Sequence, residues 1–207
     1  MRLYGNPTST CTRKVLATFA EKGAWPDEIV VIDLAARQQK TLAHMARQPF
    51  GQIPVLDDGD FRMYESRAIC RYLDEVLPGP SLTPATPHER AAMNQWISVE
   101  QSNVAPALMK LIYAEVIGPR RGQPMPPDAD MIEHREHAGR MLDVVDARLA
   151  HAPYLVGSDF TLADLSYMPY LQGLSQARSA PVLEARHNVA AWWERLRSRP
   201  SWLRVLG

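Results

Sequence analysis

The chain has 207 residues, 46% of them apolar, and 23 Lys+Arg balanced by 23 Asp+Glu. That composition excludes disordered, fibrous and membrane-embedded chains and leaves one large globular domain or two small ones. The charges are also even along the chain, ten of each sign in residues 1–80 and thirteen of each beyond, so no segment can neutralise a run of phosphates and nucleic acid is excluded as the main partner.

Met1 to Pro7 carries no apolar signal core behind a basic start, and no stretch of about 18 uncharged apolar residues follows, so the expectation is a cytoplasmic protein with no membrane partner. Arg2 to Tyr4 reads as a short strand stopped by Gly5-Asn6-Pro7, and Thr10 to Lys22 then puts Val15, Leu16 and Phe19 on one helical face. The run Ile29-Val30-Val31-Ile32-Asp33-Leu34 has the pattern of a strand covered on both faces in a parallel sheet, which completes a βαβ unit. Residues 37–47 are polar and weakly helical. Ile53-Pro54-Val55-Leu56 and Phe61-Arg62-Met63-Tyr64 flank Asp57-Asp58-Gly59-Asp60, a hairpin with turn chemistry at its tip. Helix returns at Glu65 and continues through Ile69, Tyr72, Leu73 and Val76 until Pro78-Gly79-Pro80 breaks it.

Leu77 to Pro87 contains four prolines in eleven residues and no periodic apolar face, which marks a linker. The predicted organisation is an α/β domain over 1–77 in the order βαβαββα, a linker over 78–88, and an all-α domain over 89–207. In the second domain Ala92, Trp96 and Val99 share a helical face, as do Leu108, Leu111 and Ile112, and Pro106 between them predicts a kink. Gly118 to Asp128 is a Pro/Gly-rich loop, and Ile132 to Leu149 carries Ala138, Met141, Leu142, Val145 and Leu149 at helical spacing. Thr161-Leu162-Ala163-Asp164 has capping-box spacing with Phe160 and Leu165 at the staple positions, so a helix starts there and Asp164 reads as structural. The chain closes with a helical pattern from Val189 to Leu196 and a short piece after Pro200.

A βαβ unit followed by ββα, with a proline opening the third strand, is the arrangement of a thioredoxin-like sheet in which Ile53–Pro54 is a cis peptide. The Ile53 backbone groups then face outward and can pair with an extended peptide ligand. Thr8-Ser9-Thr10-Cys11-Thr12 opens the first helix and Glu65-Ser66 the third; such ends stabilise a thiolate at one and a carboxylate at the other. The two cysteines, Cys11 and Cys70, have no paired spacing; Cys70 lies in the apolar stretch Ile69 to Leu73 and reads as core. His134-Arg135-Glu136-His137 is not HExxH and reads as a solvated helix face, so no metal is expected.

Five segments carry a family resemblance over nearly the whole length: Pro7 to Val15, Pro49-Phe50-Gly51-Gln52-Ile53-Pro54, Tyr64-Glu65-Ser66-Arg67-Ala68-Ile69, Phe160 to Leu165, and Trp192-Trp193-Glu194-Arg195 before Arg199-Pro200-Ser201-Trp202. The chain resembles cytosolic glutathione transferases, nearest to the phi-like and related bacterial serine-type members. The resemblance implies transfer of glutathione to a soft, mostly apolar electrophile, with glutathione as a cosubstrate and no tightly bound cofactor. It aligns Ser9 with the serine that hydrogen-bonds the glutathione sulfur, and such a donor lowers the thiol pKa. It assigns Gln52 and Ile53, before Pro54, to the cysteinyl backbone, Glu65 and Ser66 to the γ-glutamyl end, and Gln39 and Lys40 to the glycyl carboxylate. Gln39 stands where phi-like members usually carry histidine. Phe50 aligns with an aromatic that enters the neighbouring subunit of a homodimer. The electrophile is expected between the domains, against Met109, Ile112 and Tyr113. Two alternatives stay open. Cys11 as nucleophile would make the protein a glutathione-dependent thiol-disulfide oxidoreductase, although the cysteine of the bacterial beta class aligns with Thr10, one position earlier. The second is a glutathione-binding interaction module without turnover.

Overall fold

The opening strand β1 (Arg2–Gly5) becomes an inner strand of a four-stranded mixed sheet, parallel to β2 (Glu28–Val31) and antiparallel to β3 (Val55–Asp58), with β4 (Phe61–Tyr64) closing the far side in the order β2-β1-β3-β4. Leu3 and Leu56 pair across the two inner strands and are fully buried. The computed structural model describes all residues from Met1 to Gly207 and divides them into two units, Met1–Thr83 with Pro200–Gly207, and Pro84–Arg199.

The expectation that the second strand is covered on both faces is corrected: β2 has only β1 beside it, and Val31 is 58% exposed. The strand is also shorter than its apolar run. The Asp33 carboxylate accepts from the Ala35 and Ala36 N–H groups at 2.8 and 3.0 Å, an Asx turn that takes the chain off the sheet. α1 (Thr10–Glu21) crosses between β1 and β2 as predicted. The weak helix over 37–47 is two short pieces, a 3₁₀ turn at Gln38–Lys40 and α2 (Leu42–Met45), because Arg37 is left-handed at φ 56° and Thr41 starts a new cap on the His44 N–H. The Ile53–Pro54 bond is cis. After the β3–β4 hairpin, α3 (Ser66–Val76) completes the order expected of the first unit.

Beyond α3 the chain is pinned rather than loose. Lys22 at the end of α1 is buried, and its ammonium donates to the Asp74 carbonyl at 2.9 Å, the Asp74 carboxylate at 3.0 Å and the Pro80 carbonyl at 2.9 Å. The same Asp74 oxygen accepts from the Leu82 N–H at 2.9 Å. All three ammonium protons are thereby used, and the first part of the expected linker is fixed to the first unit.

In the helical unit, α4 (Pro87–Val99) begins inside the expected linker, with Pro87 at the first helical position and Thr86 capping the Glu89 N–H at 3.2 Å. The kink predicted at Pro106 takes the form of a π-helical turn, Glu100–Val104, leading into α5 (Ala105–Ile112). A second π turn, Tyr113–Ile117, precedes Pro119 in α6 (Gly118–Arg120). Both prolines lack the N–H and crowd the carbonyl four residues back, at Ser102 and Glu115, and each widened turn contains that residue. α7 (Ile132–Leu149), α8 (Leu162–Ser175), α9 (Pro181–Glu184) and α10 (His187–Arg197) follow.

α8 is the central helix of this unit, buried on every side from Leu162 to Leu171. Tyr167 meets Trp192 edge-to-face at 5.5 Å and donates its hydroxyl to the Trp96 carbonyl at 3.1 Å. A Cβ on Gly173 would lie 2.9 Å from Ile112, so α5 and α8 approach closely there. The capping box at Thr161–Asp164 is present and extends further than a cap needs. One Asp164 oxygen accepts from the Thr161 N–H at 2.9 Å and the Thr161 hydroxyl at 3.0 Å, and the other from the Leu155 N–H at 2.9 Å and the Trp192 indole at 3.1 Å. Burial pushes this carboxyl up to about 6 against the pull of those four donors.

The last helix, α11 (Pro200–Leu206), corrects the expected boundary of 89–207, because it belongs to the first unit and packs on α1. Trp202 is fully buried, the Ser201 hydroxyl donates to the Glu21 carboxylate, and the Arg204 guanidinium lies 4.5 Å from the Trp25 ring centre. No helix is long and apolar enough to cross a membrane.

Candidate active site

The strand registers gather the predicted site. Tyr4 pairs with Val55 and Val55 with Tyr64, so the end of β1, the start of β3 and the end of β4 lie at one end of the sheet. From that end leave the turn to Ser9, the segment Gln52–Pro54 and the pair Glu65–Ser66. Gly5 pairs with Val31, which sends the chain toward Gln39 and Lys40 from the same end.

Asn6 makes the first turn rigid: its amide donates to the Ile32 carbonyl at 3.1 Å, and its oxygen accepts from the Thr8 N–H and hydroxyl at 3.0 and 2.7 Å. Ser9 is the N-cap of α1, with its hydroxyl oxygen 3.5 Å from the Thr12 N–H. That long cap bond uses a lone pair, so the Ser9 O–H remains a donor for another partner. Cys11 is half-buried in the first turn of α1. Cys70 is core, as expected, and burial pushes its thiol up to about 11, which keeps it protonated and unreactive near neutral pH.

The loop before β3 is built around Gly51, which has φ +59°, a conformation that favours glycine; a Cβ there would also come within 2.8 Å of the Gln39 carbonyl. Gln39 and Lys40 are thereby held against the 50–52 loop, with the Lys40 ammonium on the Phe50 carbonyl at 2.9 Å. Two buried residues that the sequence analysis did not single out fix this loop. The Gln48 side-chain oxygen accepts from the Gln52 N–H at 2.9 Å, and the His44 ring reaches the Gln52 carbonyl at 2.7 Å. Polar residues inside a polar segment give no sequence signal that they turn inward. Phe50 is 63% exposed, with its ring edge-on to Tyr64 at 6.3 Å.

Glu65 precedes α3 at φ 73° and ψ 103°, an uncommon conformation for a non-glycine residue and one that collects at functional sites. It leaves Ser66 buried as the first residue of α3, where helix N–H groups can receive a carboxylate. In the helical unit, Met109 and Tyr113 line a cavity of about 620 Å³ together with Pro106, Met131 and His134. Ile112, between them on the helix, is buried instead and packs toward Gly173 rather than lining the cavity. The 134–137 segment is less solvated than its charge pattern suggests: half-buried Arg135 donates to the buried Glu115 carboxylate at 3.1 Å and to Asp128 at 2.7 Å.

Comparison with known proteins covers both units. Residues 8–76 match the family model for the glutathione S-transferase N-terminal domain and residues 105–200 that for the C-terminal domain. Glutathione S-transferase F12 of Arabidopsis thaliana is 36% identical over 212 residues, spanning 100% of this chain and 97% of that protein. Among solved structures, glutathione transferase F7 from Populus trichocarpa superposes with a TM-score of 0.92 at 36% identity, covering 99% of this chain and 97% of its own. Glutathione S-transferase I from mais, in complex with an atrazine glutathione conjugate, gives a TM-score of 0.87 at 34% identity, covering 99% and 95%. With both domain models matched in order and full-length relatives of this similarity, the chain belongs to the glutathione S-transferase family.

Proposed function

We propose that this protein conjugates glutathione to soft, mostly apolar electrophiles, with Ser9 stabilising the thiolate. The observation that carries the reading is the Ser9 hydroxyl at the N-cap of α1, at the same end of the sheet as Gln52–Pro54 and Glu65–Ser66. The glutathione S–H releases its proton to solvent, and the Ser9 O–H and the helix N-terminus favour the sulfur anion that remains. The sulfur lone pair then forms the C–S bond while the leaving group departs with its own electron pair. Ile53 pairs with the cysteinyl backbone and Gln52 flanks it, beside the cis Pro54. Ser66 and Glu65 take the γ-glutamyl carboxylate and ammonium, and Gln39 and Lys40 take the glycyl carboxylate. Met109 and Tyr113 offer the electrophile an apolar surface, which Ile112 backs from the core.

The test is conjugation of a chloro-nitroaromatic by the wild type, Ser9→Ala and Cys11→Ala at matched circular dichroism. Ser9→Ala is expected to lower kcat/KM by about 10- to 100-fold, below the largest oxyanion-hole losses because sulfur spreads its charge over a larger volume. The pH–rate profile of that variant shifts upward, as the bound thiol needs more alkaline solution to ionise. Loss confined to Cys11→Ala moves the chemistry to a mixed disulfide, and a wild type that binds glutathione without turnover is the interaction module.

The same reading makes the protein a cytosolic homodimer, with exposed Phe50 seated in the partner subunit. Phe50→Asp is expected to weaken the dimer at least ~30-fold, the loss typical of an aromatic hot spot, as read by sedimentation equilibrium; an unchanged dimer constant removes Phe50 from the interface.

A further inference from the structure

We propose that His44 and Gln48 are positioning residues for glutathione, acting through the Gln52 peptide and governing affinity for glutathione rather than the chemical step. The inference rests on the reading that Gln52 and Ile53 hold the cysteinyl backbone. Its basis is that the Gln52 backbone is held at both ends by buried side chains. The Gln48 oxygen accepts from its N–H at 2.9 Å and the His44 Nε2 donates to its carbonyl at 2.7 Å, with His44 2% and Gln48 1% exposed. Gln48 also accepts the Gly51 N–H on its own carbonyl at 2.9 Å, and its N–H donates to the His44 carbonyl at 3.0 Å, so the two positioning residues are tied to each other.

The roles of the two ring nitrogens differ. A carbonyl can only accept, so His44 Nε2 carries the hydrogen. Nδ1 is buried and has no partner, so it makes no hydrogen bond that a substitute has to reproduce. What the site requires from residue 44 is therefore one donor at the distance of Nε2 from the backbone. Glutamine places an amide N–H₂ at nearly that distance, whereas asparagine, one carbon shorter, places it where Nδ1 lies. Without the donor, the Gln52 carbonyl is left without its partner in a part-buried setting or the loop turns to solvate it, and in either case the Ile53 backbone groups lose their aim. Ser9, on the turn after β1, is untouched, so the reactivity of glutathione once bound is preserved.

The experiment measures KM for glutathione, KM for the electrophile and kcat for wild type, His44→Asn, His44→Gln and Gln48→Met, with glutathione titration by calorimetry and thermal midpoints alongside. His44→Asn is expected to raise the glutathione KM and dissociation constant about tenfold, the loss of one well-made hydrogen bond, while kcat at saturation and the electrophile KM stay near wild type. His44→Gln restores the glutathione KM. A glutathione KM unchanged in His44→Asn, or one that Gln fails to restore in a folded variant, overturns the proposal. If His44→Asn does not fold, Gln48→Met decides by the same split, and a fall in kcat with no change in glutathione affinity overturns it. A wild type that binds no glutathione defeats the underlying reading instead.

Discussion

Replacing Lys22 by methionine is expected to destabilise the first unit by about 3–5 kcal/mol, the usual cost of removing one partner from a buried ion pair. The ammonium and the Asp74 carboxylate are each only 2% exposed, so water cannot take over for the missing partner. The substitution also strips the donor from two carbonyls, at Asp74 and Pro80, and leaves the carboxylate with the Leu82 N–H as its one remaining donor among the bonds described above. A loss of that size lowers the thermal midpoint by more than about 10 °C. Adding Asp74→Leu is expected to recover part of it, because removing both charges costs less than stranding one, although the Leu82 N–H then loses its acceptor. Urea unfolding of the two single variants and the double variant gives the coupling directly. A Lys22→Met protein within about 1 kcal/mol of wild type would show that the pair is weak despite its burial.

Asp164→Ala should be as damaging to the helical unit, about 3–5 kcal/mol, because it orphans buried donors on three elements at once: the Thr161 cap, the Leu155 N–H before it, and the Trp192 indole of α10. A cap alone is worth only about 1 kcal/mol, so the size of the loss separates a junction from a cap. The same residue sets a pH dependence. Its carboxyl is pushed up to about 6 from an ordinary value of 3.8, chiefly by burial. As pH falls, the folded protein takes up this proton before the unfolded chain does. The group's contribution to stability is therefore most favourable below the unfolded value and declines as pH rises through the interval from about 4 to about 6. Against Asp164→Asn, which cannot titrate, the wild type is expected to gain stability between pH 7 and pH 5 at up to about 1.4 kcal/mol per pH unit. Chemical denaturation of both proteins across that range checks the sign; parallel curves refute it.

Much of the architecture is legible in the sequence because periodicity reports which side of an element is apolar. The helices from Thr10, Ser66, Ile132 and Leu162, the hairpin and the cap at Thr161 all follow from patterns a few residues long. Neighbours are harder to read. An all-apolar run such as Ile29 to Ile32 suits an inner strand, and nothing local says that β2 ends at the margin, with Ile32 buried beside Tyr4 and Val55, Val30 half-buried against them and Val31 exposed. A seven-residue helix such as α11 carries one apolar face and no information about which unit covers it. Pro106 announces a distortion, yet only the backbone shows that the turn widens ahead of the proline rather than breaking. At the site, Ser9, Gln52 and Glu65 stand beside turns and helix ends that sequence marks. His44 and Gln48 act from underneath, and a buried polar residue is visible only once its partners are placed.

The placement of α11 has a consequence for how the protein is made. Trp202 fills a position in the first unit, so that unit is discontinuous along the chain, with residues 84–199 synthesised between its two parts. At ordinary elongation rates the ribosome takes on the order of ten seconds to supply the missing piece. During that interval the sheet and α1 wait with the Trp202 contact surface uncovered, while the helical unit can close as soon as its own last helix emerges. The first unit is thus completed only after the whole of the helical unit has been synthesised, and a chain cut before residue 200 lacks Trp202 and leaves the α/β unit unfinished.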